Sequence, residues 1–389
     1  MYINILGLKV NIFSSKVKIK EKIRDTIEGN EKKIILTINP EIILLAQNDE
    51  EYFYILNKFD LSICDGIGLK IASWFLGKNL VRFTGIELGF FLISLALEKK
   101  LKIGIIHYKF GLSGKDEIEK KLRLQFENLD FEIFEIDREE KIEEDFQYHN
   151  IDILLVSLGA PFQENFIYKN LDKFRGLKIA VGVGSFFDIL TKKRREAPKI
   201  FSKFGFEWLF RLFFQKNFSR IYNATIKFSF YFLRWRFYYP FFYRKNIACL
   251  IYRKNNNSEY EILLTEREDE KGHWQIPQGG IDKREDFKEA AFREIKEELN
   301  LDENNLKLKK IFTYVFRYKF PKEFKRMGYR GQKQNLAIFE FLGDNKDIKI
   351  SLLEHRNWKW VNEKDFIQFL HKIRQKSGKV FYEKYLEVK

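Results

Sequence analysis

The sequence predicts an α/β domain built on a mostly parallel sheet, followed by a smaller α+β domain with a mixed sheet. Three observations carry this. At 389 residues the chain exceeds what one hydrophobic core ordinarily holds together. Up to residue 195 short apolar runs alternate with amphipathic ones, and after residue 245 a second alternation begins around one strong helix. Between them the composition turns basic and aromatic.

In the first region the strand-like runs are KIILTI (33–38), LSICDG (61–66), LKIGIIHY (101–108), FEIFEID (131–137), IDILLVSLG (151–159) and LKIAVGVG (177–184). The opening MYINILGLKV alternates like a further strand, and helical patterns such as GKDEIEKKLRLQFENL (114–129) lie between the runs. Short apolar strands alternating with amphipathic helices indicate a parallel sheet covered on both faces. Ligands of such sheets sit beyond the carboxyl ends of the strands, so polar residues placed where strands stop are the candidates. In the last region IACLIYRK (247–254), YEILLTERE (260–268), IFTYVFRYKF (311–320), QNLAIFEFLG (334–343) and WKWV (358–361) read as strands, and Phe287 to Leu299 as a helix. The predicted division is 1–195, 196–245 and 246–389, with no internal repeat and no low-complexity linker.

Apolar residues make up 45% of the chain, enough for a sizeable globular core. Two cysteines, Cys64 and Cys249, are too few for a disulfide framework and fit a reducing cytosol. Neither a signal peptide nor a spanning helix is expected, since no stretch of about 18 uncharged apolar residues occurs. The net charge of +15 is unevenly spread: Lys192 to Lys245 hold fourteen Lys or Arg against Glu196 and Glu207, a local excess of +12. Codon bias explains abundant Lys and Phe, but not their clustering. Basic residues interleaved with aromatics, as in FSFYFLRWRFYYPFFYRKN (228–246), suit an anionic surface, whether lipid headgroups or nucleic acid. Arg234 and Arg236 make the strip a surface-lying anchor rather than a spanning helix, with Trp235, Phe237, Tyr238 and Phe241 as the rings to insert. The expected placement is cytoplasmic and peripheral, on the inner face of the cell membrane.

In GHWQIPQGGIDKREDFKEAAFREIKEELNL (272–301), Glu294, Glu297 and Glu298 fall at i, i+3 and i+4, so one helix face carries three carboxylates. A solvated acidic face would show the same spacing. Like charges this close repel, and a hard cation such as Mg²⁺ or Mn²⁺ is the usual compensation. Such an ion neutralises phosphate charge as an anhydride breaks and activates water. The stretch follows G-x5-E-x7-R-E-U-x-E-E-x-G-U at Gly279, Glu285, Arg293, Glu294, Ile295, Glu297, Glu298 and Leu301, and so resembles the Nudix box. Asn300 replaces its last Gly, and Asn is the next most tolerant residue of a positive-φ helix end. The resemblance implies Glu294 and Glu298 as principal metal ligands, Glu297 assisting, and an Arg293–Glu285 pair orienting the helix. WQIPQGG, FRYKFP, YRGQKQ and NWKWV are similar to the RNA pyrophosphohydrolase and diadenosine-polyphosphate hydrolase branch. Arg317, Tyr318, Lys319, Arg330, Gln332 and Lys333 would then offer donors to a nucleoside polyphosphate or an RNA 5′ end.

TINPE (37–41), CDGIG (64–68), RFTGIEL (82–88), SLGAPFQE (157–164) and VGVGSFFD (181–188) follow one another in register with the strand pattern. In that order they resemble the WecG/TagA/CpsF glycosyltransferases, and KKRREAPKIFSKFGFEWLFRL (192–212) carries the match on to residue 222. A Rossmann-like transferase fold is what this implies. Inverting sugar transfer needs a base for the acceptor hydroxyl and donors for the departing UDP. Asp65, at a strand end before a Gly turn, is the base candidate, and the resemblance implies the same role; a helix-capping Asp is the plain alternative. Thr37 and Asn39 are placed to bind the acceptor or orient Asp65, with Arg82 a further substrate-binding candidate. Gln163, Gly182 and Gly184 could approach nucleotide phosphates closely. Arg194, Arg195, Arg211 and Arg220 fall in the appendage that this family packs over its site at the membrane, and Arg suits a diphosphate. No DxD or His cluster occurs in this region, so no metal is expected for transfer. His107 and Tyr108 stand where the family shows a glycine-rich turn, a departure that bears on the identity of the donor.

The reading that follows is a bifunctional enzyme. One half moves an N-acetylmannosamine-like sugar from a UDP-sugar to a polyprenyl-diphosphate-linked acceptor. The other hydrolyses a nucleoside polyphosphate or 5′-triphosphorylated RNA with Mg²⁺ or Mn²⁺. Two alternatives stay open: the second half senses nucleotides without turnover, or the basic strip delivers RNA to a decapping-type hydrolase. The intact glutamate set favours hydrolysis. The remaining expected partners are an anionic membrane surface and a second copy of the chain.

Overall fold

The computed structural model describes residues 1–29, 31–138, 150–174, 176–194, 222–268, 270–282, 284–320, 328–351 and 354–389. The chain packs as two compact units, Met1–Arg234 and Trp235–Lys389.

In the first unit the opening segment forms a hairpin, β1 (Tyr2–Ile5) and β2 (Leu8–Asn11), rather than one strand. Leu6 and Gly7 turn it with φ of 50° and 88°, a left-handed pair that glycine makes accessible. Six strands then build the sheet: β3 (Lys33–Ile38), β4 (Leu61–Cys64), β5 (Ile103–Tyr108), β6 (Phe131–Ile136), β7 (Ile153–Ser157) and β8 (Ile179–Gly182). Their order is β4-β3-β8-β7-β5-β6, every pairing parallel, and all six coincide with the runs expected from sequence. Nearly every residue of β3, β4, β5, β7 and β8 is buried, as strands covered on both faces must be. Helices α1 (Lys16–Glu28), α2 (Pro40–Ala46), α3 (Glu50–Lys58) and α4 (Ile67–Phe75) precede α5 (Gly85–Lys99), which begins at a capping box of Thr84 and Glu87 and buries Leu88, Leu92, Leu95 and Ala96. Each such leucine is worth about 1.5–3 kcal/mol relative to exposure.

In the second unit the strands are β9 (Tyr243–Lys254), β10 (Tyr260–Arg267), β11 (Trp274–Gln275), β12 (Gln278–Gly280), β13 (Leu306–Lys319), β14 (Gly331–Phe341) and β15 (His355–Asn362). They form a mixed sheet in which β9 and β14 run parallel and the other pairs antiparallel. Ile247, Cys249, Ile251, Ala337 and Phe339 pack on one face against Ala290, Ala291, Ile295 and Leu299 of the helix Phe287–Leu299. Ala248, Leu250, Tyr252, Leu336 and Ile338 pack on the other against Phe366, Phe381 and Tyr385. The acidic helix has the expected bounds, with Asp286 as its N-cap and Asn300 at φ 57° as its C-cap. Asn in the place of glycine therefore costs this helix end little.

The basic aromatic strip is shorter than the sequence suggests. Tyr243, Arg244 and Lys245 belong to β9, paired in register with Gly331, Gln332 and Lys333. Trp235 is buried, and a Cβ at Gly328 would press on its ring, so it is not an exposed anchor. Phe237, Tyr238 and Phe241 are exposed. Among the described residues no helix is long and apolar enough to cross a membrane.

Candidate functional sites

The first site lies beyond the carboxyl ends of β3, β4 and β8. Thr37, near the end of β3, donates from Oγ1 to the Gly182 carbonyl at 3.1 Å. Asp65 follows β4, and its Oδ2 accepts the Gly85 N–H at the start of α5, 3.2 Å away. A Cβ at Gly85 would stand 3.6 Å from both Asp65 Oδ2 and Thr37 Oγ1, so the two polar groups converge on that helix start. Arg82 donates from Nε to the Asp65 carbonyl at 3.0 Å, and the Asp65 N–H bonds the Ile38 carbonyl at 2.9 Å. Arg82 thus fixes the loop that carries Asp65. Asn39 caps the helix Pro40–Ala46, its Oδ1 accepting the Glu41 and Ile42 N–H groups at 3.0 Å each.

Gln163 is buried, and its two amide atoms are both engaged. Oε1 accepts the Gly184 N–H at 3.1 Å, and Nε2 donates to Glu164 Oε1 at 2.7 Å. A Cβ at Gly182 would lie 2.5 Å from Gln163 Nε2, so glycine there makes room for Gln163. Gly184 has φ 54°, and a Cβ at that position would meet no atom within 4 Å. Of the pair, Gly184 is the one with space for a ligand. Behind Gln163, Tyr52 donates to Glu164 Oε2 at 2.9 Å. Burial pushes the Glu164 carboxyl above the usual range, and the bonds from Gln163 and Tyr52 oppose this only in part. A raised native pKa contributes stability that is full below the unfolded value and is lost as pH rises through the native one. Glu164→Gln is therefore expected to keep the fold and to flatten the decline of melting temperature with rising pH. An unchanged slope would remove Glu164 as its source.

His107 is buried, bonding the Ser113 carbonyl through Nε2 at 2.7 Å and packing edge-on against Phe187. Tyr108 does face a functional end. The Arg138 guanidinium lies 4.1 Å from its ring centroid and 5.2 Å from that of Phe162, while Arg138 Nε holds the Leu158 carbonyl at 2.8 Å. An arginine fixed at the ends of β5, β6 and β7 is a candidate phosphate donor that the sequence pattern did not single out. Arg195, Arg211 and Arg220 lie outside the described residues.

The second site sits on the acidic helix. Glu294 and Glu298 are 4% and 2% exposed, whereas the Glu297 side chain is 50% exposed. The Glu294 carboxylate lies where a Cβ at Gly279 would collide with it, which is why glycine opens the motif. Arg293 forks onto Glu285, Nε to Oε1 at 2.7 Å and Nη2 to Oε2 at 2.9 Å, the pair expected from the sequence. Its other contacts are the Gly280 carbonyl at 2.8 Å, Glu294 at 2.8 Å and Glu297 at 3.0 Å. The bonds from Arg293 hold the Glu285 carboxyl below its ordinary range. Glu298 accepts the Gln278 N–H at 3.2 Å through Oε1 and meets His355 Nε2 at 2.8 Å through Oε2. Glu298, Glu354 and His355 each offer a donor atom, all within 4.8 Å of one another. Glu354 and His355 were not among the sequence candidates.

The six donors expected for a polyphosphate divide. Arg317 pairs with Lys333 and Tyr318 with Gln332 across β13 and β14, and successive residues of a strand point to opposite faces. Lys333 shares the parity of Ala337 and Phe339, on the face of the acidic helix, and Gln332 that of Leu336 and Ile338. One phosphate chain on one face therefore cannot use all of them. Lys333 lies over the Tyr314 ring at 3.6 Å and Arg317 over Tyr243 at 5.0 Å. On the opposite face Tyr318 bonds Gln332, and Arg374 donates to the Tyr318 hydroxyl at 3.0 Å. Arg374, a further residue missed from sequence, also lies within 3.0 Å of the Gln278 amide.

The profile of the glycosyl transferase WecG/TagA/CpsF family matches residues 3–240, and that of the NUDIX domain residues 242–384. The chain belongs to the WecG/TagA/CpsF glycosyltransferase family and carries a Nudix domain behind it. It is 28% identical over 193 residues to the N-acetylglucosaminyldiphosphoundecaprenol N-acetyl-beta-D-mannosaminyltransferase of Bacillus spizizenii, covering 48% of this chain and 73% of that protein. Over 133 residues it is 33% identical to the RNA pyrophosphohydrolase of Wolbachia pipientis subsp. Culex pipiens, covering 32% of this chain and 78% of that protein. Among solved structures, a C. elegans Ap4A hydrolase is 26% identical, covers 37% of this chain and 98% of its own, and gives a TM-score of 0.29. Both families are enzymatic, and Nudix domains are typically dependent on a divalent metal. The oxygen-rich, buried Glu294 and Glu298 fit such an ion, which when bound would polarise a phosphate and activate water.

Proposed function

We propose that the WecG/TagA/CpsF unit transfers an N-acetylmannosamine-like sugar from a UDP-sugar to a polyprenyl-diphosphate-linked acceptor. The Nudix unit, in the same proposal, hydrolyses a nucleoside polyphosphate or a 5′-triphosphorylated RNA. What carries the transferase half is the convergence of Asp65 and Thr37 on the start of α5. There Asp65 takes the proton of the acceptor hydroxyl as the glycosidic bond forms, while Thr37, Asn39 and Arg82 hold the surrounding loops. Gly184, set by Gln163, gives a phosphate close access to the backbone, and Arg138 is a further donor for the departing diphosphate. The similarity to a mannosaminyltransferase that uses an undecaprenol-linked acceptor supports this substrate class. In the Nudix unit Glu294 and Glu298 hold the ion with Glu297 assisting, Arg293 and Glu285 keep the helix in place, and Arg317 and Lys333 offer donors on the face of the sheet that carries this helix. The test is mass spectrometry of the products. UDP-sugars are offered with polyprenyl-diphosphate-linked acceptors, and separately nucleoside polyphosphates and 5′-triphosphorylated RNA. No glycosylated lipid product, or no released phosphate or pyrophosphate, removes the corresponding half.

The aromatic strip between the sites supports contact with an anionic membrane face. Phe237 and Phe241 are exposed beside Arg236, and each ring inserted contributes about 1.5–3 kcal/mol against about 1 kcal/mol per basic residue near the surface. Salt screens the second contribution and not the first. Binding to anionic vesicles is expected to weaken with salt without vanishing, and Arg236→Glu with Phe237→Ser and Phe241→Ser to release the protein. Arg244 and Lys245 are left unchanged because they belong to β9. Undiminished vesicle binding by the triple variant would make the strip a contact of some other kind.

A further inference from the structure

We infer that His355 is itself a ligand of the Nudix metal, so that the centre takes Mn²⁺ in preference to Mg²⁺. The inference rests on the Nudix reading and adds a nitrogen donor to what the box alone describes as an all-oxygen set. The geometry comes first. His355 Nε2 and Glu298 Oε2 are 2.8 Å apart, and each side chain is 2% exposed. Neighbouring donors on an octahedral ion with bonds of 2.0–2.1 Å stand about 3 Å apart, so this pair already has the separation of one edge of the coordination shell. Glu354, the residue before His355, brings a third donor into the same 4.8 Å cluster.

Chemistry then decides which ion gains. Mg²⁺ demands oxygen and parts with its water reluctantly. Imidazole is an intermediate donor whose affinity rises along the series from Mn²⁺ through Fe²⁺ and Co²⁺. One imidazole among carboxylates therefore favours Mn²⁺ over Mg²⁺ while leaving both able to bind. Burial argues in the same direction. Glu294, Glu298 and His355 are all withdrawn from water. A cation shared by Glu298 and His355 offsets the cost of burying that carboxylate. The competing role is purely orienting: His355 donates to Glu298 and never touches the ion, as outer-shell groups often do.

Electron spin-echo spectroscopy of the full chain loaded with Mn²⁺ separates these roles, because it detects a directly coordinated ¹⁴N. The expected result is an imidazole ¹⁴N coupling in the wild type that is lost in His355→Gln with Mn²⁺ still bound. Calorimetric titration should show the Mn²⁺ over Mg²⁺ affinity ratio falling about tenfold in that variant, the effect of about 1.4 kcal/mol at one ligand. The protein has five histidines, and His273 and His371 form a second cluster with Glu270. The double variant His273→Gln/His371→Gln should keep the coupling, which also tests the assignment if His355→Gln does not fold. Bound Mn²⁺ with no nitrogen coupling in the wild type overturns the inference and leaves the Nudix reading standing. So does a coupling that survives in His355→Gln or disappears in the double variant. A wild type that neither binds Mn²⁺ nor hydrolyses any polyphosphate overturns the Nudix reading itself.

Discussion

Glu298→Gln is expected to lower phosphoanhydride hydrolysis by on the order of a thousandfold or more while leaving sugar transfer unchanged. The substitution keeps the shape of the side chain and one acceptor oxygen, so the 3.2 Å bond from the Gln278 N–H can persist. What it removes is the charge. Glu298 is buried, so a metal held there feels that charge with little screening by water. Loss of several kcal/mol of transition-state stabilisation is the scale for a metal ligand, and each 1.36 kcal/mol is tenfold in rate. Glu297→Gln should be milder, because Glu297 is half exposed and its partner in the structure is Arg293. Initial rates on a nucleoside polyphosphate with Mg²⁺ or Mn²⁺, with and without EDTA, measure both variants. Hydrolysis that persists in EDTA, or a Glu298→Gln enzyme near the wild-type rate, would remove Glu298 as a metal ligand.

Sequence and structure agree where structure is set by local periodicity. All six parallel strands and the bounds of the acidic helix are legible, because short apolar runs, helical periodicity and the Asn300 end are local signals. What was not legible depends on pairing. β13 shifts register between Leu308 and Lys310 and again between Phe312 and Phe316, so counting along it does not tell which face Arg317 takes. Glu354 and His355 reach Glu298 across 56 and 57 positions of chain because β15 pairs with β10, and no spacing rule links them. Arg138 is brought beside Tyr108 and Phe162 by the β6-β5-β7 order, which the sequence does not state. By composition Tyr243 to Lys245 match the basic strip. A parallel partner in β14 makes them strand instead.

Asp65→Asn is expected to cut sugar transfer roughly 10²–10⁴-fold, the usual contribution of a general base, without loss of UDP-sugar binding. The choice of Asn separates the two roles that Asp65 could have. As a structural residue Asp65 accepts the Gly85 N–H at the start of α5, and an amide oxygen can do the same. The loop is held independently of the side chain, by the Asp65 N–H on Ile38, by Arg82 on the Asp65 carbonyl and by the Phe83 N–H on Cys64. A fold change is therefore not expected, and circular dichroism with a melting curve should show none. What is lost is the negative charge and with it the ability to take a proton. Calorimetric titration with a UDP-sugar should give a wild-type affinity beside the lowered turnover, and the remaining transfer should be as indifferent to EDTA as that of the wild type. If Asp65→Asn transfers sugar at close to the wild-type rate, Asp65 is a cap for α5, and the base is another residue at the carboxyl ends of the sheet.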